Sequence, residues 1–409
     1  MKKQGYYVGI DLDDESAVIS FFEQSMKEPQ TVSMVTGSDV FLVPVLIAKR
    51  KGLGQWFVGE EAKRIAEKQQ VTAIDHLLGR ALRNEEVFID GEYYQAEELL
   101  VLFLKKLISY AGGISSNYEP QMCAISVERL EKDDRKLFTE LGERLGFEKK
   151  EFIIIDRKAA FYYFVFNQQN ELWLHDVCLF DYRDEVMKCI NLHRTPNTEP
   201  QIVTISEQTA EMNQEERDES FCRVLSESMK GHVVSTVYLV GNGFDGEWMK
   251  LSLAYMCRGR RAFIGKNLYS KGCCYAIMAA MNEIPWPYTY IGDHEMKVNV
   301  SLKVKNRGVE EFYTLLHAGD NCYETEGTCE VILSDTRNIS IWLQPPNSKQ
   351  ANVETLTLSD LPERESKATR LRITAKPLSD KQVQIQIRDL GFGEIVKSSN
   401  LHWEYTMSV

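Results

Sequence analysis

Residues 6–18 read YYVGIDLDDESAV, an apolar strand that ends in Asp11 and runs into a tight turn. The pattern returns twice. Residues 177–188, VCLFDYRDEVMK, form a second apolar strand ending in Asp181, and residues 236–246, TVYLVGNGFDG, form a third that runs into a glycine-rich turn. A loop that cradles phosphate needs glycines and free backbone N–H groups, because side chains block the approach and negative ones repel the ligand. Here the first turn is Asp13-Asp14-Glu15 and the second is Arg183-Asp184-Glu185. The outline is that of a phosphate site, and the chemistry is not.

Outward from these strands, the first part of the chain alternates strand and helix patterns, as an α/β domain should. Leu100, Phe103, Leu104, Leu107 and Ile108 form one helical stripe, ended by Gly112-Gly113. Residues 132–145 predict an amphipathic helix with Leu137, Phe138, Leu141 and Leu145 inward and Gly146 at its end. Residues 122–127 and 152–155 predict buried strands, and residues 159–166 an apolar helix. The acids Glu207, Glu211, Glu215, Glu216, Asp218 and Glu219 read as a solvated helix face. From about Met296 the period changes to two: KVNVSLKV (297–304), RLRIT (370–374) and QVQIQIR (382–388) are strands with one wet face. The expected domains are therefore 1–290, α/β, and 291–409, a small antiparallel β-sandwich, with Pro285-Trp286-Pro287 as the linker. No internal repeat is legible in the residues.

At 409 residues the chain is long enough for two or three cores. A net charge of −12 disfavours nucleic acid or an anionic membrane as partner. No run approaches a membrane span of about 20 apolar residues, and the start leads into a strand rather than a signal peptide, so the expected compartment is the cytoplasm. Nine cysteines show no CxxC pair and no metal-ligand spacing, and read as reduced thiols. Cys273-Cys274 is expected just before a helix-like stretch, in a packing role. The acids at 13–15 and 184–185 match no known metal loop and read as solvated turns. His76, His175 and His193 are isolated in sequence and read as structural.

The three strand–turn units, in this order, resemble the phosphate, phosphate and adenosine motifs of the actin-like ATPase superfamily. Over nearly the whole chain the pieces are similar to the seventy-kilodalton heat-shock chaperones. WFVGEEAKRIAEKQQVTAIDHLLGRALRNEEV (56–87) looks like that family's run of helix, basic helix and "LIGR" turn, and AISVERLEKDDRKLFTELGERLGF (124–147) like its "TVPAYFNDAQR" unit. KGCCYAI (271–277) falls at its glycine-alanine helix, and the segment LSDLPERESKATRLRITAKPLSDKQVQIQIRDLGFGE resembles the second half of its substrate-binding β-sandwich.

The resemblance implies an actin-like two-lobed ATPase-type domain followed by a small antiparallel β-sandwich. Carried over position by position, it leaves little catalytic apparatus. The family's catalytic lysine falls at Asp75, its glutamate at Arg157, and its distal aspartate at Lys188. Asp11, Asp181, Gly241 and Gly243 remain as a remnant nucleotide site, whose Gly241-Asn242-Gly243 turn the sequence allows equally as a contact to a nucleotide base and as a plain strand–helix turn. The stretch from Asp181 to Gly241 is much shorter than in the chaperones, and a lidless β-domain is expected. The family's peptide cleft falls on Phe312, Ile332, Ile339 and Ile341, which the sequence equally allows as sandwich core.

The expected function is a non-catalytic, chaperone-like binding or scaffold protein that contacts a protein or peptide through its β-domain. No catalytic residue, metal or cofactor is expected. The alternatives are a divergent chaperone ATPase that uses Mg-ATP and a structural subunit of a cytoplasmic assembly. Arg157 and Lys188 are expected to pair across the emptied phosphate cavity with Asp75, Asp13, Asp14 or Glu15.

Overall fold

The Tyr6–Leu12 strand is buried along its whole length, as a near-continuous apolar run covered on both faces should be. In the computed structural model, which describes residues 5–52, 54–68, 71–113, 119–183, 185–282, 286–334 and 336–409, this strand is the centre of a sheet. Asp184 of the second turn and Pro285 of the expected linker lie outside the described residues. Tyr6–Leu12 pairs antiparallel with Ser16–Phe22 across the first acidic turn. On its other side it pairs parallel with Pro120–Val127, which pairs parallel with Phe152–Asp156.

A second sheet follows the same plan. Asp176–Arg183 pairs antiparallel with Val186–Thr195 and, on its other side, parallel with Val234–Val240, which pairs parallel with Arg261–Ile264. The outer side of the hairpin takes Gln30–Thr31 and Val43–Pro44 in the first sheet and Gln201–Glu211 in the second. The chain thus repeats a topology that its residues do not repeat. In both copies the central strand carries an aspartate near its C-terminal end, Asp11 in one and Asp181 in the other.

Helices cover these sheets as their stripes require. Ala96–Gly112 buries Leu99, Leu100, Phe103, Leu104 and Leu107 in the core of the first sheet. Asp134–Leu145 buries Leu137, Phe138 and Leu141 and stops at Gly146, whose φ of 94° is the left-handed cap that glycine takes without a Cβ clash. Arg157–Phe166 starts at Asp156, whose carboxylate accepts the Ala159 amide at 2.7 Å. Leu268–Ala280 crosses that helix so closely that a Cβ on Gly272 would strike the Ala160 backbone. Cys273 and Cys274 lie inside this helix rather than ahead of it, which corrects the sequence expectation.

The chain divides into two compact units, 1–192 with 206–286, and 193–205 with 287–409. The division falls a few residues before the expected boundary, and the excursion 193–205 was not expected. Its cause is long-range: Gln201–Thr204 pairs in parallel with Tyr288–Ile291. The supposed helix face at 207–219 is also partly strand, since Glu207 and Glu211 lie on Gln201–Glu211. Only Asp218 and Glu219 open a helix, Arg217–Ser228.

In the second unit two four-stranded antiparallel sheets enclose one core. Their orders are (309–316)-(299–306)-(338–344)-(352–357) and (327–333)-(369–379)-(382–389)-(402–408). Val300, Leu302, Ile341 and Leu343 from one sheet and Ile373, Ile385, Ile387 and Trp403 from the other alternate inward. Among the described residues no helix is long and apolar enough to cross a membrane.

Candidate functional site

The ends of the two repeated hairpins meet in a closed network of charge. Arg157, the first residue of its helix, donates from Nε to Asp11 Oδ1 at 2.8 Å and from Nη2 to Asp11 Oδ2 at 3.0 Å. The same Nη2 reaches Asp13 Oδ2 at 3.0 Å. Arg183, from the second sheet, donates from Nη1 to that Asp13 oxygen at 2.9 Å and from Nε to Asp181 Oδ1 at 2.9 Å. Tyr269 donates to Asp181 Oδ2 at 3.2 Å, and Ser126 to Asp11 Oδ1 at 3.0 Å. The Arg157 guanidinium also lies 5.2 Å from the centre of the Tyr269 ring. Asp11 is 7 % exposed, Arg157 6 % and Asp181 6 %. Asp13 is the hinge of the network, taking Arg157 from a helix that follows the first sheet and Arg183 from the second sheet.

The charges are set by these contacts. Burial works against ionisation of Asp13, but Arg157, the Ser16 amide and Arg183 outweigh it and hold the carboxyl below its usual range. Burial likewise disfavours the charged Arg157, and the Asp11 carboxylate more than restores it. Burial and then Asp181 push the Tyr269 phenol well up, so it stays a donor.

The acidic turn leaves no cradle. Asp13 Oδ1 accepts the amides of Glu15 at 3.0 Å and Ser16 at 2.6 Å, so the donors a phosphate would need are already taken. Asp14 turns the other way, accepting the Gly79 amide at 2.8 Å and sitting 3.0 Å from His76 Nδ1. Beside the network, a cavity of about 20 Å³ remains between Glu128, Lys188, Asp181 and Tyr269, the room of roughly one water.

The Gly241–Gly243 turn is occupied from the protein side. A Cβ on Gly243 would lie 2.6 Å from the Tyr182 carbonyl oxygen, and one on Gly241, whose φ is 102°, would lie 2.8 Å from the Tyr182 carbonyl carbon. These glycines admit the neighbouring strand. Beside the turn, Phe244 and Trp248 stack at 6.1 Å, and the Arg217 guanidinium lies 4.3 Å from the Trp248 ring centre and 5.0 Å from that of Tyr182. Arg217 also donates to the Gly243 carbonyl.

Against the sequence expectations, Arg157 does pair with Asp13, but its main partner is Asp11, which had been assigned to the remnant nucleotide site. Lys188 pairs with Glu128, and Asp75 with Arg80 at 3.7 Å. Glu15 is exposed. Arg183 was missed as a cation of the network, although it stands two residues beyond Asp181 on the same strand. The Asp14–His76 contact was missed because nothing local in sequence joins those residues.

The four proposed cleft residues do not converge. Ile339 and Ile341 are buried in the sandwich core, on the inward register that their alternation dictates, and cannot form a cleft. Phe312 stands on the outer face of one sheet, 5.1 Å from the Trp342 ring, and Ile332 on the outer face of the other, opposite Arg370.

A family model described as "Family of unknown function (DUF5716) C-terminal" matches residues 28–293, and the chain belongs to that family. A second model, "Domain of unknown function (DUF8552)", matches residues 295–409. No curated protein matches the chain in sequence.

Proposed function

We propose that the first unit is an actin-like, heat-shock-chaperone-type domain that has stopped using ATP, and that this cytoplasmic protein works by binding another protein. The observation that carries the reading is the Asp11–Arg157–Asp13–Arg183–Asp181 network. It fills the place where two strand-end loops would hold phosphate and metal. A nucleotide needs a pocket of several hundred Å³, and the cavity beside the network holds about 20 Å³. The repeated sheet plan supports an actin-like domain, and the spent turn amides support loss of phosphoryl transfer. The role that a ligand would play in a working relative, joining the two sheets, would fall here to Arg183, which binds Asp13 and Asp181, with Arg157 holding Asp11 and Asp13 in place.

The second unit is the proposed contact for a protein partner. It exposes Val309, Phe312 and Tyr313 along one edge strand. A phosphate-release assay with Mg-ATP on the full chain tests the first half of the reading, with no release above buffer expected. Turnover that Asp11→Ala abolishes would restore a divergent ATPase. For the second half, binding of a reduced, unfolded polypeptide should weaken in Phe312→Ser and persist in Arg157→Met. Equal binding by both variants removes the second unit from the account.

A further inference from the structure

Residues 85–98 read EEVFIDGEYYQAEE, with six acids and no lysine or arginine. Glu86–Ile89 and Glu92–Gln95 pair as an isolated two-stranded hairpin across Asp90-Gly91. The φ angles of 51° and 88° at those two residues suit the tight turn that Asp-Gly favours. Two strands alone are marginal in water, so something else must hold this hairpin. Its inner face does. Ile89 enters the core, and the buried Lys49 donates from Nζ to Tyr94 at 2.7 Å and to Glu92 at 3.2 Å. That ammonium lies 4.9 Å from the Tyr94 ring centre and 5.5 Å from that of Trp56.

The outer face is left without a cover. Phe88 stands opposite Tyr93 with ring centres 4.9 Å apart, and the two are 59 % and 71 % exposed. On the same face Glu86 stands opposite Gln95, whose amide donates to it at 2.7 Å. The neighbouring acids Glu85, Glu92 and Glu97 are paired with Arg80 and Arg83, with Lys49 and with Arg144. Among the described residues Glu86 and Asp90 have no such cation. Two fixed aromatic rings beside uncompensated carboxylates suit a cation that brings an apolar stem: the rings attract it through their faces and the carboxylates through charge.

We propose that this hairpin face is a docking site for a basic segment of a partner protein, with a lysine or arginine laid over Phe88 and Tyr93 and its charge toward Glu86 and Asp90. A second copy of this chain would set acid against acid. Nucleic acid and anionic lipid are repelled by the same carboxylates. The site lies in the first unit and stands whether or not ATP use is lost or the second unit binds protein.

Titration of the full chain with a fluorescein-labelled peptide of alternating arginine and leucine tests this, with a glutamate–leucine peptide as control. The basic peptide should bind, more weakly as salt rises, and the acidic one should not. The double variant Phe88→Ser/Tyr93→Ser should lose at least tenfold in affinity with an unchanged melting temperature. If that variant melts early, the exposed Glu86→Lys decides, and it too should weaken binding. Phe312→Ser should bind the basic peptide like the parent. No binding of the basic peptide, equal binding of both peptides, or undiminished binding by the hairpin variants overturns the proposal; the last would mean attraction to the −12 surface as a whole.

Discussion

Each unit holds a buried arginine–aspartate cluster, and the two differ in reach. In the second unit Arg364 grips Asp389 with two bonds, at 2.9 and 2.7 Å, and the same carboxylate accepts the Ser399 hydroxyl and the amides of Ser399 and Gly391. Every acceptor is met by groups from two adjoining loops. In the first unit Arg157, at the start of a helix that follows the first sheet's edge strand, and Arg183, on the second sheet, both reach Asp13, which meets the rest of its needs within its own turn. One cluster fastens loops of a single sandwich. The other ties the acidic turn of one sheet to a strand of a second sheet that shares its topology, through Asp13 and Arg183. Buried ion pairs are weak evidence for stability, because desolvation offsets their attraction. What they supply is geometry, at a cost that appears when one partner is removed.

Arg157 carries the largest expected effect. Arg157→Ala leaves Asp11 buried without its cation, a loss of about 3–5 kcal/mol, and chemical denaturation should show it in the first unit's transition alone. A loss below about 1 kcal/mol would mean that water reaches Asp11. Arg364→Ala should cost less, about 2–3 kcal/mol, because Asp389 keeps its hydroxyl and amide donors; the second unit's transition should carry it. Equal losses in both variants would erase the distinction between loop staple and sheet clamp.

Gly243→Ala should cost about 1–3 kcal/mol by forcing the turn off Tyr182. An unchanged protein with new nucleotide affinity would mean that the turn is not packed as described. Acid acts on both clusters. Asp13 and Asp389 both have carboxyls held below the usual value, by arginines and amides that outweigh burial. The folded state therefore binds fewer protons than the unfolded one, and each contributes stability that is full above about pH 4 and drains away as pH falls through the lowered value. Both transitions should weaken from pH 5 to 3, and Asp13→Asn should flatten the first only. Least of all, Lys188→Ala should cost no more than about 1 kcal/mol, since Lys188 and Glu128 are both partly exposed.

Much of this was legible in the sequence, and the failures have common causes. Strands and helices with a clear period, such as Tyr6–Leu12, Ala96–Gly112 and Gln382–Asp389, stand where their patterns put them. Val186–Thr195, the return arm of a tight hairpin with Asp176–Arg183, was read only as the tail of the second motif; Gln201–Glu211 was missed because Glu207 and Glu211 imitate a solvated helix face and one of its partners, Tyr288–Ile291, is distant in sequence. The topological repeat was invisible, since the two sheets share an order of strands and not a string of residues. At the site, the exchange of charge at 13–15, 157 and 188 correctly signalled ion pairing, but the choice of partners depends on reach in space. Arg157 took Asp11, and Lys188 took Glu128. In the second unit, two-residue alternation already placed Ile339 and Ile341 inside, and a cleft assignment could not survive it.

The most direct measurement is calorimetric titration of the full chain with Mg-ATP, alongside the variant Arg157→Glu. The network predicts no binding heat at millimolar nucleotide for the parent, because both arginines are already paired with carboxylates and Asp13 already holds the Glu15 and Ser16 amides. It predicts none for the variant either, in which a further acid enters a site short of glycines and free amides. Micromolar binding by the parent that disappears in Asp11→Ala would contradict the account, for it would show that the clamp opens to admit a ligand.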